Sequence, residues 1–149
     1  MLTYSGREIM LKKLLAVVAF AFLVGACADE PPAAPPPPPP VRNFLVFFDF
    51  DKSTLTPRAL DIVREAAKIA KAGENAKVTC TGHTDTVGPA RYNMALSLRR
   101  AAVVKDALVR EGVPAASIAV VGRGEESLLV PTGEGVREPQ NRRVEIVVQ

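Results

Sequence analysis

Hydrophobic positions change their period several times between residues 44 and 149, and each change marks an element. Phe44 to Phe48 is an apolar, aromatic run of strand length. Thr56-Pro57 then offers an N-cap followed by proline at the first helical position. Ala59, Ile62, Val63, Ala66, Ile69 and Ala70 recur at helical spacing, which predicts one buried face ended by Gly73. Val78 to Thr81 is a second strand. After Gly88-Pro89 a longer helix is predicted, with Met94, Leu98, Ala101, Val104 and Leu108 on one face and its end near Gly112-Val113-Pro114. Ile118 to Val121 is a third strand. Val144 to Val148 is a fourth, in which Val144, Ile146 and Val148 alternate against Glu145 and Val147. The order β-α-β-α-β-β predicts an α/β (α+β) sandwich, with two helices covering one face of a small mixed sheet.

The segment ahead of this domain has a different character. Lys12 and Lys13 precede an apolar stretch, Leu14 to Val24, which ends in Val24-Gly25-Ala26-Cys27. A basic start, an apolar core and small residues before a cut are the parts of a secretory signal. A membrane-spanning helix needs roughly 17–25 apolar residues, more than this core supplies. Cysteine directly after Gly-Ala resembles a bacterial lipobox, which implies cleavage before Cys27 and lipid on its sulfur and amine. Residues 1–9 are too polar to belong to such a signal, so translation is expected to start at Met10. Ala28, rather than aspartate, follows the cysteine, which in the Gram-negative sorting rule favours the outer membrane. Several acyl chains give lasting anchorage where one chain is marginal.

Pro31 to Pro40 reads Pro-Pro-Ala-Ala followed by six prolines. Such a run cannot build a core and favours an extended polyproline II rod, on the order of 30 Å long at about 3.1 Å per residue. The expected organisation is therefore a leader over 1–26, a lipidated cysteine with a proline-rich spacer over 27–43, and one folded domain over 44–149. The domain would face the periplasm from the outer membrane.

Charge and composition narrow the function. The full chain carries a formal +3, but its first 26 residues hold Arg7, Lys12 and Lys13 against Glu8. A chain cut before Cys27 is thus near neutral, at about +1. Aromatic residues make up only 5% and no basic-aromatic stripe occurs, so the signature of a nucleic-acid binder is missing. With Cys27 acylated, no intramolecular disulfide remains. Cys80, in the alternation Val78-Thr79-Cys80-Thr81, is expected to be a small buried hydrophobe.

Catalysis finds little support. His83 is the one histidine, no nucleophile-elbow pattern surrounds any serine, and Asp49 and Asp51 at a strand end lack a partner that suggests acid–base pairing. A zinc site on Cys80 and His83 supplies two ligands where a structural site wants four. No phosphate-loop motif occurs, and no cofactor is implied. A periplasmic enzyme is the weaker alternative. The denser signal is the run Thr81-Gly-His-Thr-Asp-Thr-Val-Gly-Pro-Ala-Arg-Tyr-Asn-Met-Ala-Leu-Ser-Leu-Arg-Arg-Ala101. It reads as a strand end, a polar loop and a helix opening, offering the carboxylate of Asp85 and the guanidinium of Arg100. An opposed acid and base can grip a small zwitterion. Equally, Asp85 can cap the helix and Arg100 can form a surface ion pair.

Three separated motifs bear on that choice. Phe48-Asp49-Phe50-Asp51 ends the first strand. Gly82-His83-Thr84-Asp85, Gly88, Asn93, Leu96, Ser97, Arg100 and Ala101 fill a spaced pattern in the middle, and Gln140 to Ile146 reads Gln-Asn-Arg-Arg-Val-Glu-Ile. Together they resemble the OmpA-like peptidoglycan-binding domains over about residues 44–149. Leu128 departs from the pattern, since many members have proline there. The resemblance implies the OmpA-like fold and a non-catalytic protein that holds the meso-diaminopimelate of the peptidoglycan stem. It puts Asp85 on the ligand's ammonium and Arg100 on its carboxylate, which suits the planar fork of arginine. It gives Thr84, Asn93, Asp51, Asn141 and Arg143 shaping roles, and the amides opening the second helix are further anion donors. One of Arg142 and Arg143 is expected to pack structurally. Lipoproteins of the Tol–Pal system carry related domains, so the alternative role is action with Tol proteins in envelope integrity and cell division. Flagellar stators also carry them, but stators need a true membrane helix ahead of the domain.

Overall fold

The computed structural model describes residues 40–149. The expected leader, the Met10 start, Cys27 and the proline run as far as Pro39 lie outside the described residues.

Thr56 adopts extended backbone, and its hydroxyl oxygen accepts a 3.2 Å bond from the amide of Ala59. That cap and Pro57 start helix α1, Pro57–Ala72, where the sequence predicts it. Helix α2 runs from Ala90 to Arg110. The strands are β1 (Arg42–Phe47), β2 (Val78–Gly82), β3 (Ile118–Gly122) and β4 (Arg143–Val148). Strand β1 begins two residues earlier than the apolar run suggests, because Arg42 and Asn43 pair with Val148 and Val147 of β4. Short 3-10 turns at Ala115–Ser117 and Pro139–Asn141 precede β3 and β4.

The sheet order is β1-β4-β2-β3. Strand β4 enters between β1 and β2 antiparallel to both, while β2 and β3 run parallel on either side of α2. The sheet is therefore mixed, as expected, and its helix-facing side buries Val46, Val78, Cys80, Val144, Ile146 and Val148. Alanines 59, 66, 67 and 70 of α1 and Ala101, Val104 and Leu108 of α2 complete the core. Cys80 has no exposed surface, and burial pushes its thiol up to about 12.

The buried face of α2 differs from expectation in its first half. Leu98 is 43% exposed and Met94 half-buried, while Asn93, Leu96, Ser97 and Arg100 turn inward. The cause is close approach of backbones. A Cβ on Gly82 would collide with the carbonyl of Ser97, and one on Gly122 would collide with the side chain of Leu98. These two glycines let α2 lie directly on the ends of β2 and β3, and the helix meets loops there rather than the apolar core. Loops present carbonyls, so polar side chains face them.

Candidate functional site

The C-terminal ends of β1 and β2 and the start of β4 converge under α2. Backbone pairing continues past the strands: Phe48 N–H donates to the Arg142 carbonyl (2.9 Å), and His83 N–H donates to the Arg143 carbonyl (2.8 Å). After Phe48 the chain turns sharply. Lys52 N–H donates to the Asp49 carbonyl at 3.2 Å, and Asp51 takes the left-handed conformation, φ 55°, which aspartate tolerates better than most residues.

Arg100 joins this turn to the loop after β2. Its guanidinium donates from Nε to the Lys52 carbonyl (2.8 Å), from Nη1 to the His83 carbonyl (2.9 Å) and from Nη2 to the Asp49 carbonyl (3.1 Å). Its Cζ lies 5.3 Å from the centroid of the Phe48 ring. The side chain has no exposed surface and makes no salt bridge among the described residues. Burial first, and the nearby Arg142 charge second, lower its pKa to about 10 against the opposing pull of Asp85 and Asp51.

Asp85, 4% exposed, is partnered by Arg142, one of the two arginines between which the sequence leaves the structural role open. Its Oδ2 accepts from Arg142 Nη1 at 3.1 Å, while Arg142 Nε donates to the Phe48 carbonyl at 3.1 Å. The signal for Arg142 lies in the strand period. Arg142 shares parity with Val144, Ile146 and Val148, whose side chains face the helices, so it projects to the side where Asp85 stands. Arg143 shares parity with Glu145 and packs structurally on the other side. It donates to Glu145 Oε1 (2.9 Å from Nε) and to the Ser127 carbonyl (3.2 Å).

The other expected residues divide into two groups. Asp51 sits in the turn held by Arg100, and its exposed carboxylate accepts from the Tyr92 hydroxyl, which raises the tyrosine pKa. Thr84 is buried beside Asp85, its amide bonded to the Gly124 carbonyl (2.8 Å). Asn93 Nδ2 donates to Glu125 Oε2 (2.7 Å) and reaches the Asp85 carbonyl at 3.4 Å, bracing the loop. Asn141, the chain neighbour of Arg142, directs its side-chain bonds elsewhere. It clamps Val130 through two 2.8 Å bonds and so fixes the long segment between β3 and β4. The first turn of α2 opens on a polar cavity of about 490 Å³ lined by Glu125 and Glu134, whose carboxylates oppose an anion there.

His83 is 3% exposed, with Nδ1 at 3.3 Å from the Glu126 carbonyl and Nε2 at 3.7 Å from Glu145 Oε1. Burial lowers its pKa, Arg143 adds to that, and Glu145 opposes it. Among the described residues no three of His, Cys, Asp and Glu gather as metal ligands, and no helix is long and apolar enough to cross a membrane.

An α/β sandwich with a buried arginine tying two loops beside a carboxylate–guanidinium pair is the class this chain defines. Residues 47–142 match the model of the OmpA family, and the chain belongs to that family. An outer membrane protein of Gluconacetobacter diazotrophicus is 50% identical over 113 residues, covering 72% of this chain and 30% of that protein. A peptidoglycan-associated lipoprotein of Pseudomonas putida is 40% identical over 100 residues, covering 67% and 60%. The crystal structure of the peptidoglycan-associated lipoprotein from Burkholderia pseudomallei superposes with a TM-score of 0.66 at 30% identity, covering 71% of this chain and 90% of that one. The match spans 30% to 60% of the length of the curated relatives named here.

Proposed function

We propose that this protein is a lipid-anchored, non-catalytic peptidoglycan-binding protein that ties the outer membrane to the cell wall by holding the diaminopimelate of the stem peptide. The observation that carries the proposal is the nearly buried Asp85 carboxylate standing among guanidiniums at the junction of three strand ends. The end of a diaminopimelate side chain bears an ammonium and a carboxylate on one carbon. Asp85 takes the ammonium, and the guanidinium side of the site, where Arg100 and Arg142 both stand, takes the carboxylate. Asp51, Thr84 and Asn93 hold the two loops in shape, and Asn141 and Arg143 fix the segment that borders them. Likeness to proteins named peptidoglycan-associated lipoprotein supports the same reading. The anchor in this proposal is lipid on Cys27, with the proline run as spacer.

The test is co-sedimentation of the full chain, in detergent, with purified sacculi of the diaminopimelate type and of the lysine type. Lysine has the distal ammonium but not the distal carboxylate. Selective pelleting with the first kind is expected. Equal pelleting with both would remove the zwitterion grip, and no pelleting with either would remove wall binding altogether.

A further inference from the structure

Strand β1 is an edge of the sheet, and among the described residues it is bonded to β4 on one side only. Which of its residues face outward follows from the pairing of β4. Lys77 and Gln149 exchange backbone bonds of 2.9 Å, and His83 N–H donates to the Arg143 carbonyl, so the odd-numbered residues of β4 bond towards β2. Its even-numbered residues bond towards β1, as the Phe48–Arg142 bond shows. The backbone N–H and C=O groups of Asn43, Leu45 and Phe47 therefore point away from the sheet.

The same three residues turn their side chains to the sheet face that carries no helix, since Val46 between them is buried on the helix side. Leu45 is 37% exposed, Phe47 43%, and Val41, just before the strand, 56%. Natural edge strands are guarded by charge, proline or a bulge. From Asn43 to Phe48 this strand has no charged residue and no proline, and its register with β4 runs without interruption. The other edge strand, β3, exposes no large apolar side chain.

We propose that the β1 edge is an interface at which two copies of this chain pair antiparallel, β1 to β1, joining their four-stranded sheets into one. A closed two-fold pairing requires a strand to be complementary to itself. In the register centred on Leu45, that residue faces its own counterpart and Asn43 faces Phe47, so every outward N–H and C=O meets a partner group. Val41 falls opposite Asp49, at the mouth of an open cavity of about 380 Å³ lined by Phe47, Phe48 and Pro139 of the other copy. Arg42 falls opposite Phe48, one residue from Asp49. Among the described residues neither Arg42 nor Asp49 has an ion-pair partner, and the pairing supplies each with the other. The two-fold axis stands perpendicular to the joined sheet. Both chains therefore leave β1 at the same height along that axis, as two anchors in one membrane require. None of this depends on how the site at Asp85 holds its ligand.

The first test is sedimentation equilibrium of the full chain in density-matched detergent, wild type against Leu45→Lys, each checked by thermal melting. Leu45→Lys puts a charge at the centre of the edge and leaves the buried face of β1 untouched. Wild type should have twice the protein mass of a folded Leu45→Lys chain. A monomeric wild type, or a folded Leu45→Lys chain that stays dimeric, overturns the proposal. The second test reads the register by oxidative cross-linking in Cys27→Ser chains, where buried Cys80 is the remaining native thiol. Leu45→Cys should link to itself, because facing residues of a bonded antiparallel pair lie about 5.5 Å apart, within disulfide reach. Asn43→Cys and Phe47→Cys should each link poorly alone and readily when mixed. If Leu45→Cys links no faster than Ala119→Cys of β3, the interface is wrong. If the Asn43 and Phe47 variants link equally well alone and mixed, the register is wrong and the proposal falls with it. Neither readout involves sacculi, so failure of the zwitterion grip would leave both intact.

Discussion

Arg100 Nε and the carbonyl of Lys52 are 2.8 Å apart, a bond that links the middle of α2 to a turn 48 residues earlier in the chain. With the bonds to His83 and Asp49 it makes one side chain the fastener of two loops. A charge with no exposed surface is tolerated because every nitrogen has a carbonyl partner. Replacing Arg100 with methionine keeps much of the length but leaves three inward carbonyls without a donor. A buried acceptor left without its donor costs about 1–3 kcal/mol. Chemical denaturation should therefore show a large drop in the unfolding midpoint for Arg100→Met, with a smaller drop for Arg100→Lys. A midpoint within experimental error of wild type would show that the turns hold themselves.

His83 gives the fold a response to acid. Its folded pKa lies below its ordinary value of 6.5, through burial first and Arg143 second. Above 6.5 the imidazole is neutral in both folded and unfolded chains, and the group contributes nothing against folding. As pH falls through 6.5 the unfolded chain takes up a proton that the folded chain resists, so stability is lost until pH passes the lower folded value. The faces presented to the ring include Glu145 and Arg143 of β4 and the carbonyl of Glu126, with Arg123 further off. Melting temperature measured between pH 7.5 and 5 should fall more steeply for wild type than for His83→Gln. Parallel curves would mean that carboxylates alone set the acid response.

Most of the fold was legible because its elements announce themselves by local chemistry. Thr56-Pro57 starts α1 through a cap and a fixed φ, and the alternation of Val144, Ile146 and Val148 needs no knowledge of their partners. The insertion of β4 between β1 and β2 was not legible, since it depends on pairing across about a hundred residues. The inward turn of Asn93, Ser97 and Arg100 was hidden for a related reason. Hydrophobic spacing assumes an apolar surface opposite the helix, and here the opposite surface is a set of loop carbonyls. Asp85 stood out by motif. Its partner Arg142 did not, although the parity of β4 was sufficient to separate it from Arg143.

Gly82 records how tightly α2 is seated. The position is not held by backbone strain, since its φ is ordinary; it is held by the Ser97 carbonyl occupying the space of a Cβ. Gly82→Ala must push the helix away from the end of β2. Overpacking of this kind costs typically about 1–3 kcal/mol, and here the neighbour is backbone, which yields less readily than a side-chain tip. The displaced helix carries Arg100, so sacculus binding should weaken along with thermal stability. A variant as stable as wild type would imply that α2 rides higher than the structure has it.

Cys80 and Cys27 predict opposite chemistries for the chain's two thiols. Cys80 is sealed between the sheet and the helices with its pKa pushed up to about 12, so almost no thiolate exists at neutral pH. It should react with a thiol reagent only at the rate of global unfolding, and fully at once in denaturant. Cys27 follows Gly25-Ala26 in a lipobox-like setting and should carry lipid rather than a free thiol. The full chain made in a Gram-negative host, once denatured, is then expected to present one reactive thiol. Cys27→Ser should lose metabolic labelling by palmitate and leave the membrane fraction, yet keep selective binding to diaminopimelate-type sacculi, because the proposed site lies wholly within 44–149. Two reactive thiols in denatured, membrane-derived wild-type chain would rule out acylation of Cys27, and retention of Cys27→Ser in membranes would require a different anchor.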